Sequence, residues 1–265
     1  MLQSRTQYAT LALTYDDVIA TVTFNRPEKR NAISQALIED LLLALHEVEQ
    51  SSAQVAILTG SGAAFCSGMD LDELRSITKL TADENRAGSL RMAQMFRALY
   101  EFPKVTIAAV NGPAIAGGCG LATLCDFTLA SSSAKFGYTE VRIGFVPAIV
   151  STFLVRQIGE KHARDLLFTG RIIDAAEAHR LGLVNEVVPP ETLLSRASEL
   201  ARNLTANSPA SLLATKRLLT SFAQAELDRQ ASAAIEENAR IRTTRDFQEG
   251  VTAFLEKRKP NWTGR

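Results

Sequence analysis

The sequence predicts an α/β fold. Short apolar runs alternate with stretches of helical periodicity as far as residue 190. From residue 191 onward no strand pattern remains, and helical patterns fill the chain to its end. The expected organisation is an α/β core over residues 1–190 and a helical segment over residues 191–265 that packs on the core or on another copy of the chain.

Each element has its own signal. Residues 17–24 alternate β-branched and small side chains and read as a strand, followed by the polar turn RPEKRN. Residues 34–50 show apolar positions at helical spacing, with Ser34 placed to cap them. Residues 55–60 form a short buried strand ending on glycine, a loop covers 61–70, and DLDEL opens another helix. Thr81 and Glu84 make a capping box for a long amphipathic helix to about Tyr100. Residues 104–112 are nearly all apolar, as in a strand covered on both faces. A short buried helix is expected at 117–125 and a strand at 126–131. Asp174 and Glu177 form a second capping box for a helix stopped by Gly182, and a strand follows at 183–189. The helical segment divides into 192–206, 209–222, 228–242 and 247–257.

Composition narrows the function. Of 265 residues, 46% are apolar and 22% charged, enough for a sizeable core in one or two domains. Lys plus Arg equals Asp plus Glu at 29, so no global field draws nucleic acid or an anionic membrane. Cys66, Cys119 and Cys125 are odd in number and lack metal-ligand spacing, which points to reduced thiols in a cytoplasmic protein. The first residues lack a leader's apolar region, and no run approaches the ~20 apolar residues of a membrane span.

Two loops draw the chemistry together. FCSGMD (65–70) and PAIAGGCG (113–120) each follow an apolar strand and place small residues before a helix start. Ligands gather beyond the carboxyl ends of such strands, and amides at helix starts are unpaired. The amides of Met69 and Gly117 are therefore nominated as an oxyanion hole, with Ser67, Gly68 and Gly118 letting a substrate carbonyl approach the backbone. No GxSxG surrounds Ser61 or Ser67, so nucleophile-elbow chemistry is excluded. Cys119 reads as a small buried packing residue in preference to a thiolate, and His46, His162 and His179 as surface residues. Glu140, alone among Phe136, Tyr138, Val141, Ile143 and Phe145, is the acid/base candidate; its alternative is an exposed loop carboxylate. GCGLAT imitates a dinucleotide fingerprint, but Thr123 holds the third glycine position, and no Walker lysine follows any glycine-rich loop. No metal-ligand set is apparent.

The segments NRPEKRNAIS, VAILTGSGAAFCSGMDLDEL, KVTIAAVNGPAIAGGCGLATLCDFTLAS, AKFGYTEVRIGFVP, GRIIDAAEAHRLGLVNEVVP and FLEKRKPNW occur in one order. Together they resemble the enoyl-CoA hydratase/isomerase (crotonase) family over nearly the whole chain. The resemblance implies a spiral of repeated β-β-α units with a C-terminal helical segment, assembled as a trimer or a dimer of trimers. It also implies an acyl-CoA substrate whose thioester oxygen is held by the amides of Met69 and Gly117, with no cofactor beyond that coenzyme A.

Three departures stand out. Of the family's two glutamates one matches Glu140, and the other falls on Gly120. Asp72 stands where a basic residue often meets the CoA phosphates, so Arg26, Lys29 or Arg30 are expected to take that role. PAIVST replaces glycines near the acyl pocket. Phe254 and Lys257 match residues that reach a neighbouring subunit's CoA. Three functions stay open: hydration of a 2-enoyl-CoA, migration of a double bond, and binding of acyl-CoA without turnover. A carboxylate restored at Gly120 is expected to favour hydration if it fits.

Overall fold

The computed structural model describes residues 5–264. Strands β1 (Arg5–Gln7), β2 (Leu11–Asp16) and β3 (Ile19–Phe24) form an antiparallel edge, with Asp17 in left-handed backbone at the tight β2–β3 turn. From β3 the large sheet continues in parallel through β4 (Val55–Gly60) and β5 (Val105–Val110). A small second sheet begins with β6 (Ala114–Ile115). β7 (Phe127–Ser131) extends the large sheet, and β8 (Lys135–Gly137) pairs with β6 in the small one. β9 (Ile173–Asp174) adds to β8, and β10 (Glu186–Val188) closes the large sheet beside β7. Single bridges between Ile33 and Met69, and between Cys66 and Ala114, extend the small layer. Each turn of the chain thus gives one strand to the large sheet and one extended piece to the small layer before entering a helix. This is the expected β-β-α spiral.

The helices follow from capping and periodicity. Ser34 accepts from the Leu37 amide and starts α1 (Gln35–Gln50). Asp70 caps α2 (Leu71–Ile77), and both bonds of the Thr81–Glu84 capping box form at α3 (Ala82–Tyr100). α4 (Gly117–Thr123) is almost wholly buried. α5 (Ala148–Thr169), broken at Gly159, was not marked by the sequence. At α6 (Ala175–Leu181) only half of the expected box forms. Asp174 accepts from the Glu177 amide, but the Glu177 carboxylate turns to Arg171, a stronger, charged partner.

Beyond residue 190, α7 (Leu193–Thr205) packs on the large sheet. The sheet is therefore covered on both faces. Val55, Ile57, Val105 and Ile107 meet Leu193, Ala197 and Ala201, while Ala56, Leu58 and Ala108 face the main core with α1, α3, α4 and α5. That double burial explains the unbroken apolar runs. The two helices expected at 209–222 and 228–242 are one, α8 (Pro209–Ile241), because no glycine or proline interrupts them after Pro209. α8 lies along α3 and α5.

α9 (Arg245–Leu255) matters most for the site. It packs on α2 and on the short helical turn Glu140–Ile143. The approach is close: a Cβ at Gly250 would lie 2.3 Å from the Ile143 carbonyl oxygen, and one at Gly144 2.4 Å from that of Asp246. Two glycines thus let the last helix clamp the turn that carries Glu140.

Candidate active site

A cavity of about 860 Å³ lies where the two glycine-bearing loops face the Glu140 turn. The first loop is held by Phe65 and Cys66, both fully buried. The Ile33 amide donates to the Gly68 carbonyl at 2.7 Å, and the Asp70 amide donates to the Ile33 carbonyl at 2.8 Å. The Met69 amide falls between these bonds, and no described residue accepts from it. In the second loop Ala116 donates to the Gly137 carbonyl at 2.7 Å and sits at φ 51°, ψ −125°. Such backbone costs a non-glycine residue on the order of 1–3 kcal/mol, and strain of this kind clusters at functional sites. Gly117 is the first residue of α4, so its amide is among the helix's unpaired donors, and it too meets no described acceptor. Met69 and Gly117 both line the cavity, as does Ser67.

Glu140 lines the same cavity and is only 7% exposed. Its Oε2 has no hydrogen-bond partner among the described residues, and burial pushes its carboxyl up to about 7. Of the two readings of Glu140, the buried one holds. Phe145 donates its amide to the Glu140 carbonyl at 3.0 Å, fixing the turn.

Gly68 and Gly118 do not line the cavity as expected; they fasten the loops to each other. A Cβ at Gly118 would lie 2.1 Å from the Cys66 carbonyl oxygen, and one at Gly68 3.1 Å from Ala116 Cβ. Gly120 has no room either. Its Cβ would meet Val150 Cγ1 at 2.6 Å and Phe96 Cε1 at 3.2 Å, and both side chains line the cavity. An apolar wall therefore stands where a side chain at position 120 would project, and a glutamate does not fit there unaided. Burial pushes the Cys119 thiol up to about 12, so it is a neutral packing residue. None of the three histidines lines the cavity, and no group of potential metal ligands occurs among the described residues. No described helix is long and apolar enough to cross a membrane.

The cations nominated for the CoA phosphates separate. Arg26 is outside the cavity and spends its guanidinium on Asp70 at 2.9 Å and Ser34 at 3.2 Å. It braces the first loop through these bonds. Lys29 lines the cavity but pairs with Asp72 at 2.9 Å. Arg30 lines it, and its side chain has no described partner. Phe254, half exposed, lines the cavity of its own chain, while Lys257 lies outside the lining.

One cluster was missed by the sequence reading. Arg242, following α8, and Asn238 on α8 both line the cavity and are 5% exposed. Arg242 donates to Asn238 Oδ1 at 2.8 Å, which also accepts from Ser89 of α3. Its contacts to Asn85 are long, at 3.4 and 3.5 Å. The guanidinium lies 5.5 Å from the Phe145 ring centroid, and its Nε has no partner among the described residues. The available signal was two polar pairs at helical spacing, 85/89 and 238/242, inside otherwise amphipathic patterns.

The model of the enoyl-CoA hydratase/isomerase family matches residues 14–265. The short-chain-enoyl-CoA hydratase of Clostridium acetobutylicum is 36% identical over 244 residues, covering 91% of this chain and 92% of its own. The 2,3-dehydroadipyl-CoA hydratase of Escherichia coli is 35% identical over 253 residues, covering 93% and 96%. Among solved structures, an enoyl-CoA hydratase/isomerase from Xanthobacter autotrophicus Py2 superposes with a TM-score of 0.87 at 29% identity, over 95% of this chain and 97% of that one.

Proposed function

The chain belongs to the enoyl-CoA hydratase/isomerase family, and on that premise we propose that it hydrates 2-enoyl-CoA thioesters with Glu140 as its single acid/base. One observation carries the reading: a buried carboxylate with an unpartnered oxygen shares a cavity with two unengaged amides, Met69 and Gly117. When water adds at C3, negative charge moves onto the thioester oxygen. Two fixed donors there lower the barrier without reorganising. Glu140 takes a proton from the attacking water and returns it to C2, so the bond to oxygen forms at C3, the double bond is lost, and the carboxylate is restored. A carboxyl near 7 suits both halves of that transfer at neutral pH.

The wall of Phe96 and Val150 at Gly120 favours a second reading, isomerisation of 3-enoyl to 2-enoyl thioesters. That reaction needs one base to move a proton between C2 and C4, and no attacking water. Assay of matched 2-enoyl- and 3-enoyl-CoA substrates in ¹⁸O-labelled water separates the readings. Label at C3 of the product supports hydration. Double-bond migration without label supports isomerisation. Binding with neither reaction leaves an acyl-CoA-binding protein.

The substrate's own coenzyme A is the only cofactor in this reading, with Arg30 and Lys257 free to meet its phosphates. The three buried free cysteines suit a reducing, cytoplasmic setting. Leu218, Leu219 and Phe222 of α8 are 55–73% exposed, an apolar face that fits a trimer or a dimer of trimers. Light scattering tests that assembly. Relatives named for short-chain and for dehydroadipyl thioesters show that acyl ends differ across the family, so this chain's own cavity must supply the choice.

A further inference from the structure

We infer that the acyl group this cavity takes ends in a carboxylate, which Arg242 and Asn238 receive. The inference rests on the acyl-CoA reading above and specifies its substrate class. Arg242 is a buried cation without a buried anion. It is 5% exposed and, among the described residues, makes no ion pair and meets neutral groups: Asn238, Asn85 and the face of Phe145. The groups that meet it on α3, on α8 and after the Glu140 turn, namely Asn85 and Gly88, Asn238, and Phe145, are all uncharged. A buried charge in that condition is costly, and natural proteins pair such charges or use them.

The geometry says where the missing anion belongs. Arg242 and Asn238 line the cavity that holds Glu140, Met69 and Gly117. Arg242 Nε has no partner, its Nη1 contacts are long, and Asn238 Nδ2 donates to no described residue. Asn238 Oδ1, by contrast, accepts from Arg242 and shares the Ser89 hydroxyl with the Asn85 carbonyl, which fixes the amide with its donor side unspent. The site therefore offers donors and one positive charge, and no unspent acceptor of its own. That chemistry fits a carboxylate, which accepts from an Arg fork with geometric specificity. It does not fit a methyl terminus, which would leave the guanidinium uncompensated and desolvate it further. Glu140 is not the counter-ion: burial raises its carboxyl, opposed only by a hydrogen bond from its own backbone, and burial alone lowers the Arg242 guanidinium, with no charge acting between the two.

Binding of unreactive saturated thioesters tests the inference apart from turnover. Hexanoyl-CoA and hexanedioyl-CoA, with shorter and longer members of each series, are titrated into the full chain by calorimetry. The dicarboxylic series is expected to bind more tightly by about 10- to 100-fold, the range for one charge-assisted contact. Arg242→Met, which removes the buried charge at similar volume, should erase that preference by weakening the dicarboxylic series about 10- to 100-fold relative to hexanoyl-CoA. Arg242→Lys should keep part of it. Equal binding of the two series, or an Arg242→Met variant that weakens both alike, overturns the inference. If neither series binds, the acyl-CoA reading itself falls. If both bind and the preference follows Arg242 but no turnover occurs, only the assignment of the reaction is lost. Circular dichroism of each variant establishes that loss of preference is not loss of fold, and Asn238→Leu supplies a second variant should Arg242→Met fail to fold.

Discussion

Glu140 and Arg242 are both buried charged side chains lining one cavity, and burial has opposite consequences for them. It works against charge in each. The Glu140 carboxyl rises from its ordinary value to about 7, while the Arg242 guanidinium falls only to about 10. The carboxyl therefore titrates near neutral pH, and the guanidinium stays a fixed cation. The same desolvation leaves one group able to exchange a proton near neutral pH and the other a fixed positive charge. The difference lies in the starting chemistry of the two groups, and it separates a titrating end from a permanently charged end within a single cavity.

The comparison breaks most readily at Glu140. Glu140→Gln keeps the shape and removes the proton acceptor, so turnover should fall by about 10²- to 10⁴-fold, while binding of a saturated acyl-CoA persists. The wild-type enzyme should show kcat/KM rising with pH through about 7, since only the ionised carboxyl accepts a proton. A variant that keeps its rate would move the acid/base elsewhere. Next in size is the amide pair. Gly117→Pro deletes one donor and should cost about 10²- to 10³-fold in kcat. Gly117→Ala keeps the N–H and meets Ile33 Cδ1 at 3.0 Å and Phe96 at 3.5 Å, so it should retain most activity. Equal losses in the two variants would assign the effect to packing.

A stability measurement sharpens the comparison further. Because the folded pKa of Glu140 is raised from 4.5 to about 7, the folded state binds more protons than the unfolded state between those values. Wild type should therefore lose stability as pH climbs through that window, by about 3 kcal/mol in order of magnitude. Glu140→Gln escapes this. Its advantage should be absent below pH 4.5, grow across the window and level off above 7, read from denaturant midpoints. The difference between Arg242→Met and wild type should be flat over the same range, because the guanidinium does not titrate there. Gly120→Glu tests the apolar wall. It should cost about 1–3 kcal/mol through overpacking against Val150 and Phe96. Gly120→Glu combined with Val150→Ala should recover part of that loss and raise hydration if a second carboxylate helps.

The sequence carried the strands and capped helices of the spiral well. β3, β4 and β5 announce themselves as apolar runs because both faces of the sheet are covered, and Ser34, Thr81 and Asp174 mark their helices through local capping. Gly117 was legible as the start of a short helix. The misses are tertiary. Gly118 looked like a ligand contact and proved to be a packing position, because its neighbour, the Cys66 carbonyl, is distant in sequence. Arg26 looked like a free cation, yet its partner Asp70 lies in the first loop, distant in sequence. Arg242 was invisible because its meaning depends on what is not near it: three uncharged neighbours and a cavity, drawn from three separate segments. Local periodicity cannot report that.

The smallest expected effect contrasts exposed charge with buried charge. Lys29 and Asp72 pair at 2.9 Å with side chains 44% and 65% exposed, and Asp72 also meets Arg75 at 3.2 Å. Hydrogen bonding and charge from Asp72 raise the Lys29 pKa, so Lys29 stays cationic, but the pair is locally neutral. Asp72→Asn keeps the side chain's size and leaves Lys29 and Arg30 unopposed beside the cavity. Acyl-CoA binding should then tighten by no more than a few-fold, since exposed pairs are well solvated. The gain should appear at low salt and fade above about 0.1 M, where the screening length falls to about 10 Å. The contribution of Arg242 to binding a carboxylate-ended thioester should persist over the same titration, because the guanidinium is shielded from the electrolyte. A gain from Asp72→Asn that resists salt would mean that its charge acts through the cavity's shape instead of through its field. Parallel salt dependence at Arg242 would mean that the buried cation is reached by solvent when the ligand binds.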